Sequence, residues 1–211
     1  MGDGAARPPL LDAYSCAGGA GFGYHLAGFD VTGLDNRPQP HYPFKFIQAD
    51  ALELLADRDF LAQFAAIHAS PPCQHKARVT AWRGNRDDHP DLLTPTLALL
   101  AGTDIPWVVE NVPEAGLRAD YRLCGTQFGL PIRRHRDFQR GNWSAYELMP
   151  GCQCYRNPSL LPFMHKGERA YADAMGCTWM SKEEARQAIP PAMTEHIGRQ
   201  LLEYLAAERA A

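Results

Sequence analysis

Short apolar runs alternate with longer segments of helical periodicity between Leu10 and Asn111. This alternation is typical of strand–helix units, in which crossover helices join parallel strands. It predicts strands over residues 10–14, 31–34, 44–48, 66–69 and 107–110, and helices over 21–27, 51–64 and 92–103. The sequence therefore predicts an α/β fold with a mostly parallel sheet, in which ligands bind at the carboxyl ends of the strands.

The rest of the chain is predicted to form an insert and a returning segment. Residues 137–180 mix tryptophan, glycine, proline and cysteine without periodicity, which favours a small loop-rich insert. Ser181 and Glu184 have capping-box spacing, which predicts the start of a short helix that Pro190 ends. A last helix is predicted over 194–207, and its apolar face should dock on the sheet. The predicted organisation is a disordered N-terminus (1–9), a catalytic and cofactor-binding domain (10–136), the insert (137–180) and a segment that completes the catalytic domain (181–211).

Composition limits the class of protein. With 211 residues, 45% of them hydrophobic, the chain can bury one sizeable core. A net charge of -3 provides no overall basic field, so any contact with nucleic acid must come from a local patch. Six scattered cysteines and the absence of a leader before residue 10 indicate a cytoplasmic protein with free thiols. No run approaches the roughly 20 apolar residues that span a bilayer, so a membrane role is not expected.

A proline-stiffened loop follows the predicted strand at 66–69. It reads Ser-Pro-Pro-Cys-Gln over residues 70–74. The two prolines fix their own φ angles and bias the preceding residues toward extended backbone, so Cys73 is held on a defined turn. Such a thiol is either a nucleophile or a small buried hydrophobe.

Glycines and acids follow the first three predicted strands. Gly18, Gly19 and the glycines after them would permit a tight turn that a nucleotide-like ligand could approach, or simply a tight connection. Asp35 ends the second strand, where a carboxylate can accept hydrogen bonds from a ribose, and Asp50 follows the third, where it could pair with an adenine amino group. Each acid could equally be a turn residue.

Glu110 ends the fifth predicted strand, near the strand that leads to Cys73. A carboxyl group sheltered at that place would have a raised pKa and could donate a proton to a ring nitrogen. The alternative is a carboxylate that caps the next turn.

Taken in order, these segments resemble the motifs of the cytosine-5 DNA methyltransferases. Residues 12–19 are similar to the family's Asp-Leu-Phe-x-Gly-x-Gly-Gly loop, and Asp35 and Asp50 fall at its two cofactor acids. Residues 71–74 are similar to the nucleophile motif, and residues 110–112 are identical to the Glu-Asn-Val acid motif. Residues 128–136 resemble the Phe-Gly-x-Pro-Gln-x-Arg-x-Arg segment, and residues 188–191 with 197–198 resemble the closing motif. The resemblance covers roughly residues 10–136 and 186–205.

The resemblance implies a Rossmann-like, S-adenosylmethionine-dependent methyltransferase fold that acts on a cytosine flipped out of DNA. Cys73 would add to carbon 6 and form a covalent adduct, Glu110 would protonate ring nitrogen 3, and Arg134 and Arg136 would help to fix the base. The cofactor would be bound by Tyr14, Ser15, Cys16, Ala17, Gly18, Gly19, Asp35, Asn36, Asp50, Ala51, Pro72, Gln187 and Ala188. The small size resembles that of phage or bacterial modification enzymes.

A polar segment follows the nucleophile motif. Its cations surround one tryptophan, which suits a loop that closes over a phosphate backbone and wedges a base step. The predicted nucleic-acid contacts are Gln74, Lys76, Arg78, Trp82, Arg83 and Arg86. The alternative is an ordinary solvated loop.

The chain departs from the family pattern in several places. Cys16 stands where the family has its first loop glycine, Ile132 replaces a glutamine, and residues 186–187 read Arg-Gln in place of Gly-Asn. Only about 50 residues separate Arg136 from Arg186, which leaves little room for reading base edges. We therefore expect relaxed sequence specificity or help from a protein partner.

Cys152 and Cys154, with His165 or Cys177, raise the question of a zinc site. The C-x-C spacing is tighter than the usual spacing of two to four residues, and no second ligand pair is evident in the sequence. The sequence therefore predicts no metal.

Two alternatives to a DNA methyltransferase stay open. The same motifs serve cytosine-5 methylation of tRNA, although the Cys-Phe-Thr tripeptide of that RNA branch does not occur here. A non-catalytic protein that binds cofactor or nucleic acid would be expected to lack the nucleophile or the acid, and this chain has both.

Overall fold

The computed structural model describes residues 6–72, 90–145, 149–156, 161–162 and 169–210. The strands are β1 (Pro9–Ala13), β2 (Asp30–Asp35), β3 (Lys45–Gln48), β4 (Ala66–Ala69), β5 (Trp107–Asn111), β6 (Tyr121–Cys124), β7 (Ile132–Arg133), β8 (His135–Gly141) and β9 (Leu161–Pro162). The helices are α1 (Gly19–Ala27), α2 (Ala51–Ala56), α3 (Arg58–Leu61), α4 (Leu93–Ala101), α5 (Arg169–Ala174), α6 (Lys182–Gln187) and α7 (Pro191–Ala210). Short 3-10 helices cover Pro113–Ala115, Gly125–Phe128 and Cys154–Arg156.

Within these described ranges, seven strands form one sheet in the order β3-β2-β1-β4-β5-β8-β6. The strands from β3 to β5 are parallel, whereas β8 runs antiparallel to both β5 and β6. β2 and β3 lie on one side of β1, whereas β4 and β5 lie on the other. The topological switch point is therefore between β1 and β4. The predicted α/β class, a Rossmann-like fold with a mostly parallel sheet, is confirmed.

The central strands β4 and β5 are buried at every position, which explains why their sequences are mostly apolar. Leu10 points to one face and packs in a cluster with Tyr24 of α1 and Ile197 of α7. Leu11 points to the other face and packs with Leu55 of α2 and Leu100 of α4. Helices on both sides therefore leave the carboxyl ends of the strands as the place for a ligand.

The last helix docks as its apolar face predicts. Ile197 and Leu201 are fully buried, and the hydroxyl of Thr194 donates to the carbonyl oxygen of Ala20 at 2.9 Å. This bond joins α7 to the start of α1, directly behind the loop after β1. None of the described helices, α7 included, is long and apolar enough to cross a bilayer.

One predicted helix is two helices in the structure. The helix expected over 51–64 ends at Ala56, because Asp57 adopts an extended ψ of 103° and its carboxylate accepts a hydrogen bond from the N–H of Phe60 at 3.0 Å. Asp57 thus caps α3. Aspartate competes in this way with continuous helix by bonding to nearby backbone.

At two predicted boundaries, near residues 9 and 137, hydrogen bonds between strands extend the sheet further than expected. The segment 1–9 was expected to be disordered, but Pro9 opens β1 and the carbonyl oxygen of Pro8 accepts from the N–H of Asp30 at 3.0 Å. The insert was expected to begin at residue 137, which lies inside β8. The sheet therefore continues to Gly141, where β8 ends. Just after β8, the indole N–H of Trp143 donates to the carbonyl oxygen of Trp107 in β5.

Candidate active site

The loop after β1 turns through a backbone conformation that few side-chain-bearing residues adopt. Tyr14 and Cys16 have φ angles of 58° and 45°, and Gly18 has a φ of 84°. Cys16 thus takes the place of a glycine by adopting the left-handed conformation itself. Its N–H donates to Oδ2 of Asp35 at 3.0 Å, which holds the loop against the carboxyl end of β2.

The two predicted cofactor acids lie at neighbouring strand ends and also have structural partners. Asp35 is buried and accepts a second hydrogen bond from the N–H of Arg37 at 3.0 Å. Asp50 caps α2 through one oxygen, which accepts from the N–H groups of Leu52 and Glu53. Burial raises the pKa of Tyr14, the hydrogen bond to Thr96 acts against that rise, and the charge of Asp50 adds to it.

The closing segment packs directly on that loop. A Cβ atom added to Gly19 would lie 2.5 Å from the carbonyl oxygen of Ile189 and 3.0 Å from Cβ of Ala188. The indole N–H of Trp179 donates to the carbonyl oxygen of Ala17 at 2.9 Å. Segments from opposite ends of the chain therefore meet beside the loop after β1.

Glu110 is buried in β5 beside the loop that follows β4. Its Oε1 lies 2.6 Å from Nε of Arg136, and its carboxyl group also accepts a hydrogen bond from Ser70. Burial raises the pKa of Glu110, while Arg136, Arg134 and the Ser70 hydroxyl act against that rise. The side-chain N–H of Asn111 donates to the carbonyl oxygen of Pro71 at 3.0 Å. Glu110 and Asn111 of the acid motif are thus joined to the segment that leads to Cys73.

A chain of polar groups, in which His68 and Tyr24 are fully buried, continues behind Glu110, and sequence reasoning missed it. Nε2 of His68 lies 2.8 Å from Oγ of Ser70, and Nδ1 lies 3.1 Å from the hydroxyl of Tyr24. Burial lowers the pKa of His68 to about 3, so the ring is neutral and carries one proton. The sole sequence signal was a histidine inside an otherwise apolar strand.

The two arginines of the predicted base-holding pair have different partners. Arg136 contacts Glu110, whereas Arg134 donates to the hydroxyl of Tyr171 at 3.1 Å and to the carbonyl oxygen of Arg186 at 2.9 Å. Burial lowers the pKa of Arg134 to about 10. Arg134 lies between β7 and β8 and joins α5 and α6 to the site. Its predicted catalytic role stays a prediction.

The predicted cofactor residues occupy neighbouring places. Asn36 and Ala51 directly follow the two acids, Pro72 follows β4, and Gln187 ends α6 next to Ala188. The nucleophile and the predicted nucleic-acid contacts lie outside the described residues; they are Cys73, Gln74, Lys76, Arg78, Trp82, Arg83 and Arg86.

No protein-family model matches the sequence, and no curated protein matches it. Parts of several solved structures are similar to parts of this chain. One is an E. coli protein described as a DNA modification methyltransferase encoded within a prophage, with a TM-score of 0.48 and 20% identity over 63% of this chain and 45% of that one.

Two further matches are described as Dnmt2 proteins. The S. pombe Dnmt2 methyltransferase has a TM-score of 0.46 and 21% identity, over 67% of this chain and 53% of its own. A mutant of Spodoptera frugiperda DNMT2 has a TM-score of 0.47 and 18% identity, over 63% and 49%. This chain therefore spans about half the length of the solved structures it matches.

Proposed function

We propose that the chain transfers a methyl group from S-adenosylmethionine to carbon 5 of cytosine in DNA, through a covalent adduct of Cys73 with a flipped base. One arrangement carries this proposal. Ser70 bonds to Glu110 and Asn111 bonds to the carbonyl oxygen of Pro71, so the buried acid is fixed to the short segment that precedes Cys73.

The residues around the loop after β1 fit S-adenosylmethionine. The loop offers a tight left-handed turn at the switch point of the sheet, with Asp35 on one side and Ala188 on the other. Asp35 would accept from the ribose, and Asp50 retains a second carboxylate oxygen for an adenine amino group. The cofactor supplies the electrophilic methyl group that carbon 5 takes up.

The proposed chemistry begins with the thiolate of Cys73, which forms a bond to carbon 6 of the base. The electron pair displaced from the ring moves toward nitrogen 3, which takes a proton from Glu110, and carbon 5 becomes enamine-like. After methylation, carbon 5 loses its proton to a base, the bond between carbon 6 and Cys73 breaks, and nitrogen 3 returns its proton to the Glu110 carboxylate. These last steps restore the aromatic ring and the thiolate.

The surroundings of Glu110 stabilise both of the protonation states that the proposed reaction requires. Burial favours the neutral acid before transfer, because a desolvated carboxylate is costly. Arg136, at 2.6 Å, stabilises the carboxylate after the proton has left. The acid is therefore held ready to give up its proton without being left as an unpaired buried charge.

Trapping tests the proposal directly. The purified chain is incubated with S-adenosylmethionine and duplex DNA that contains 5-fluorocytosine, which blocks loss of the carbon 5 substituent. We expect an adduct that survives denaturation, and we expect none from Cys73→Ser, which should still bind DNA. If the wild-type chain binds this DNA yet forms no adduct and transfers no label from radioactive cofactor, the enzyme proposal is wrong.

The same assay separates the alternatives. Parallel reactions use duplex DNA and bulk tRNA with labelled S-adenosylmethionine. Label in DNA supports the proposal, whereas label in tRNA alone supports the RNA methyltransferase. Cofactor binding without transfer to either substrate supports a non-catalytic binding protein.

A further inference from the structure

Four potential metal ligands converge where the insert meets the sheet. Cys124 ends β6 and His135 opens β8, and the two residues are direct partners in the antiparallel pairing of these strands. Cys152 and Cys154 come from the described stretch 149–156. The three Sγ atoms and one ring nitrogen of His135 lie within 4.8 Å of one another.

From this convergence we infer that the chain binds one zinc ion through Cys124, His135, Cys152 and Cys154. Zinc prefers four tetrahedral ligands of sulfur and nitrogen, at about 2.3 Å and 2.0–2.1 Å, which places the ligand atoms roughly 3.5–3.8 Å from one another. Nε2 of His135 lies 3.4 Å from Sγ of Cys152 and 3.6 Å from Sγ of Cys154. These two distances are close to the edges of a zinc tetrahedron, and the other ligand atoms lie within 4.8 Å of one another.

Hydrogen-bond donors surround the sulfur atoms in the way a thiolate site requires. The Thr126 hydroxyl lies 3.4 Å from Sγ of Cys124 and 3.6 Å from Sγ of Cys152. The backbone N–H of Cys154 donates to Sγ of Cys152 at 3.4 Å. Such outer contacts stabilise negative charge on metal-bound sulfur and orient the ligands. Thr126 is itself held by the N–H of Gln153 at 3.3 Å.

Few other contacts of the described residues stabilise the stretch 149–156. Cys124, Cys152 and Cys154 form an apolar cluster of their own, apart from the large clusters of the sheet. Beyond this cluster, Met149 packs against a large cluster of the sheet, Gln127 donates to the Pro150 carbonyl and Arg133 donates to the Cys154 carbonyl. A zinc ion commonly replaces a hydrophobic core in segments this short.

The spacing also explains why the C-x-C pair was insufficient to indicate zinc from the sequence. The second pair comes from two strands of the main sheet, whose residues face each other only after β6 and β8 have paired. Cys177, a candidate ligand on sequence grounds, is instead buried in an apolar cluster with Tyr171 and Met180. His165, the other such candidate, lies outside the described residues.

Metal analysis of the whole, untagged chain tests this inference, which does not depend on the proposed enzymatic function. After growth with zinc and dialysis against dilute zinc, we expect about one zinc ion per chain by elemental mass spectrometry. Exchange for cobalt should give thiolate-to-cobalt charge-transfer absorption and the strong visible bands of a tetrahedral site. Titration of the thiols with a mercurial should release the zinc to a coloured chelator.

Variants locate the ligands. Cys124→Ser and Cys154→Ser should each lose most of the zinc, whereas Cys177→Ala, which removes a buried thiol outside the cluster, should keep about one ion. If the ligand variants do not fold, the wild-type metal content and the cobalt spectrum decide. A cooperatively folded wild-type chain without bound zinc, a Cys152–Cys154 disulfide, or full zinc content in the ligand variants would each overturn the inference.

Discussion

Glu110 experiences opposing influences from the groups around it. Removal from water favours its neutral form, while Arg136, Arg134 and the hydroxyl of Ser70 favour the carboxylate. The net effect is a raised pKa, so Glu110 keeps its proton to higher pH than an exposed glutamate does. Because the proposed role needs a proton at the start and a stabilised anion at the end, both influences serve the reaction.

Glu110→Gln should reduce methyl transfer by about 10²–10⁴-fold, because glutamine keeps the shape but has no acidic proton. In the wild-type chain the rate should decrease as pH rises through the raised pKa of Glu110, since the neutral form is the donor. The variant should not show this decrease. Single-turnover transfer measured over a pH series checks both statements. Glu114→Gln, a change just beyond β5, should retain wild-type rates; equal rates for Glu110→Gln would contradict the acid role.

Asp12 should make the stability of the fold decrease with pH. Burial raises the pKa of Asp12 to about 8, although the hydroxyl of Tyr42 donates to it at 3.2 Å. Between about pH 4 and pH 8 the unfolded chain loses this proton while the folded chain keeps it, so the free energy of unfolding falls by up to about 1.4 kcal/mol per pH unit from this group.

Asp12→Asn removes that titration and should flatten the dependence. The free energy of unfolding of the variant, relative to wild type, should increase steadily from about pH 5 to pH 8, as measured by urea unfolding. A constant difference between the two proteins across this range would show that Asp12 titrates normally in the fold.

At the scale of elements, the parallel strands were predictable and the antiparallel pair was not. β4 is buried on both faces, so its burial appears in the sequence as an apolar run. In β8, by contrast, Phe138 is the one apolar side chain, and its neighbour Asp137 is buried because Arg122 of β6 pairs with it at 2.7 Å. A strand whose buried charge is neutralised by a partner gives no hydrophobic pattern to find.

In the candidate site, too, some features could be predicted from the sequence and others could not. Motifs that are contiguous in the chain, such as the loop after β1 and the acid motif on β5, could be found from residue order alone. The polar chain through His68 and the Cys124–His135 pair depend on which strands are neighbours, and strand order is fixed by packing across the whole sheet. Residue spacing therefore carries no signal for either.

The contact between the loop after β1 and the closing segment should be needed for cofactor binding. Gly19→Ala would place Cβ 2.5 Å from the carbonyl oxygen of Ile189, a backbone atom that can yield only if the closing segment moves. Overpacking of about 1–3 kcal/mol corresponds to a loss of roughly five- to 150-fold in affinity for S-adenosylmethionine. Calorimetric titration measures this change.

Gly102→Ala is the matched control for that substitution. Its Cβ would meet the tip of the Arg58 side chain at 2.9 Å, which is free to rotate away, and it lies at the end of α4. The control should bind cofactor as the wild type does. If Gly19→Ala also binds normally, the closing segment does not complete the cofactor site.

At the scale of the whole molecule, Arg134 and the proposed zinc site are two of the places that join the segments after β8 to the sheet. Arg134 connects the sheet to α5 and α6 through Tyr171 and the Arg186 carbonyl, and the proposed zinc site connects β6 and β8 to residues 152–154. A short segment secured in this way can present a fixed surface to a substrate without a large core of its own. It offers few side chains for reading bases, which fits relaxed sequence specificity.

Because the whole chain has a net charge of -3, we expect its affinity for DNA to depend on a local set of cations. These are Lys76, Arg78, Arg83 and Arg86. Changing all four to alanine should weaken binding to every sequence alike and reduce the slope of log K against log salt by about 0.9 for each phosphate that the chain no longer neutralises. Filter binding over a salt series measures the slope.

A control with the same change in net charge separates this local effect from the overall field. It replaces four exposed cations elsewhere on the molecule with alanine: Lys45, Arg58, Arg199 and Arg209. The control should lower affinity only slightly and leave the slope unchanged, because long-range repulsion is screened within about 10 Å at 0.1 M salt. If both quadruple variants changed the slope equally, or neither did, the segment after Cys73 would not be the surface that binds the phosphate backbone.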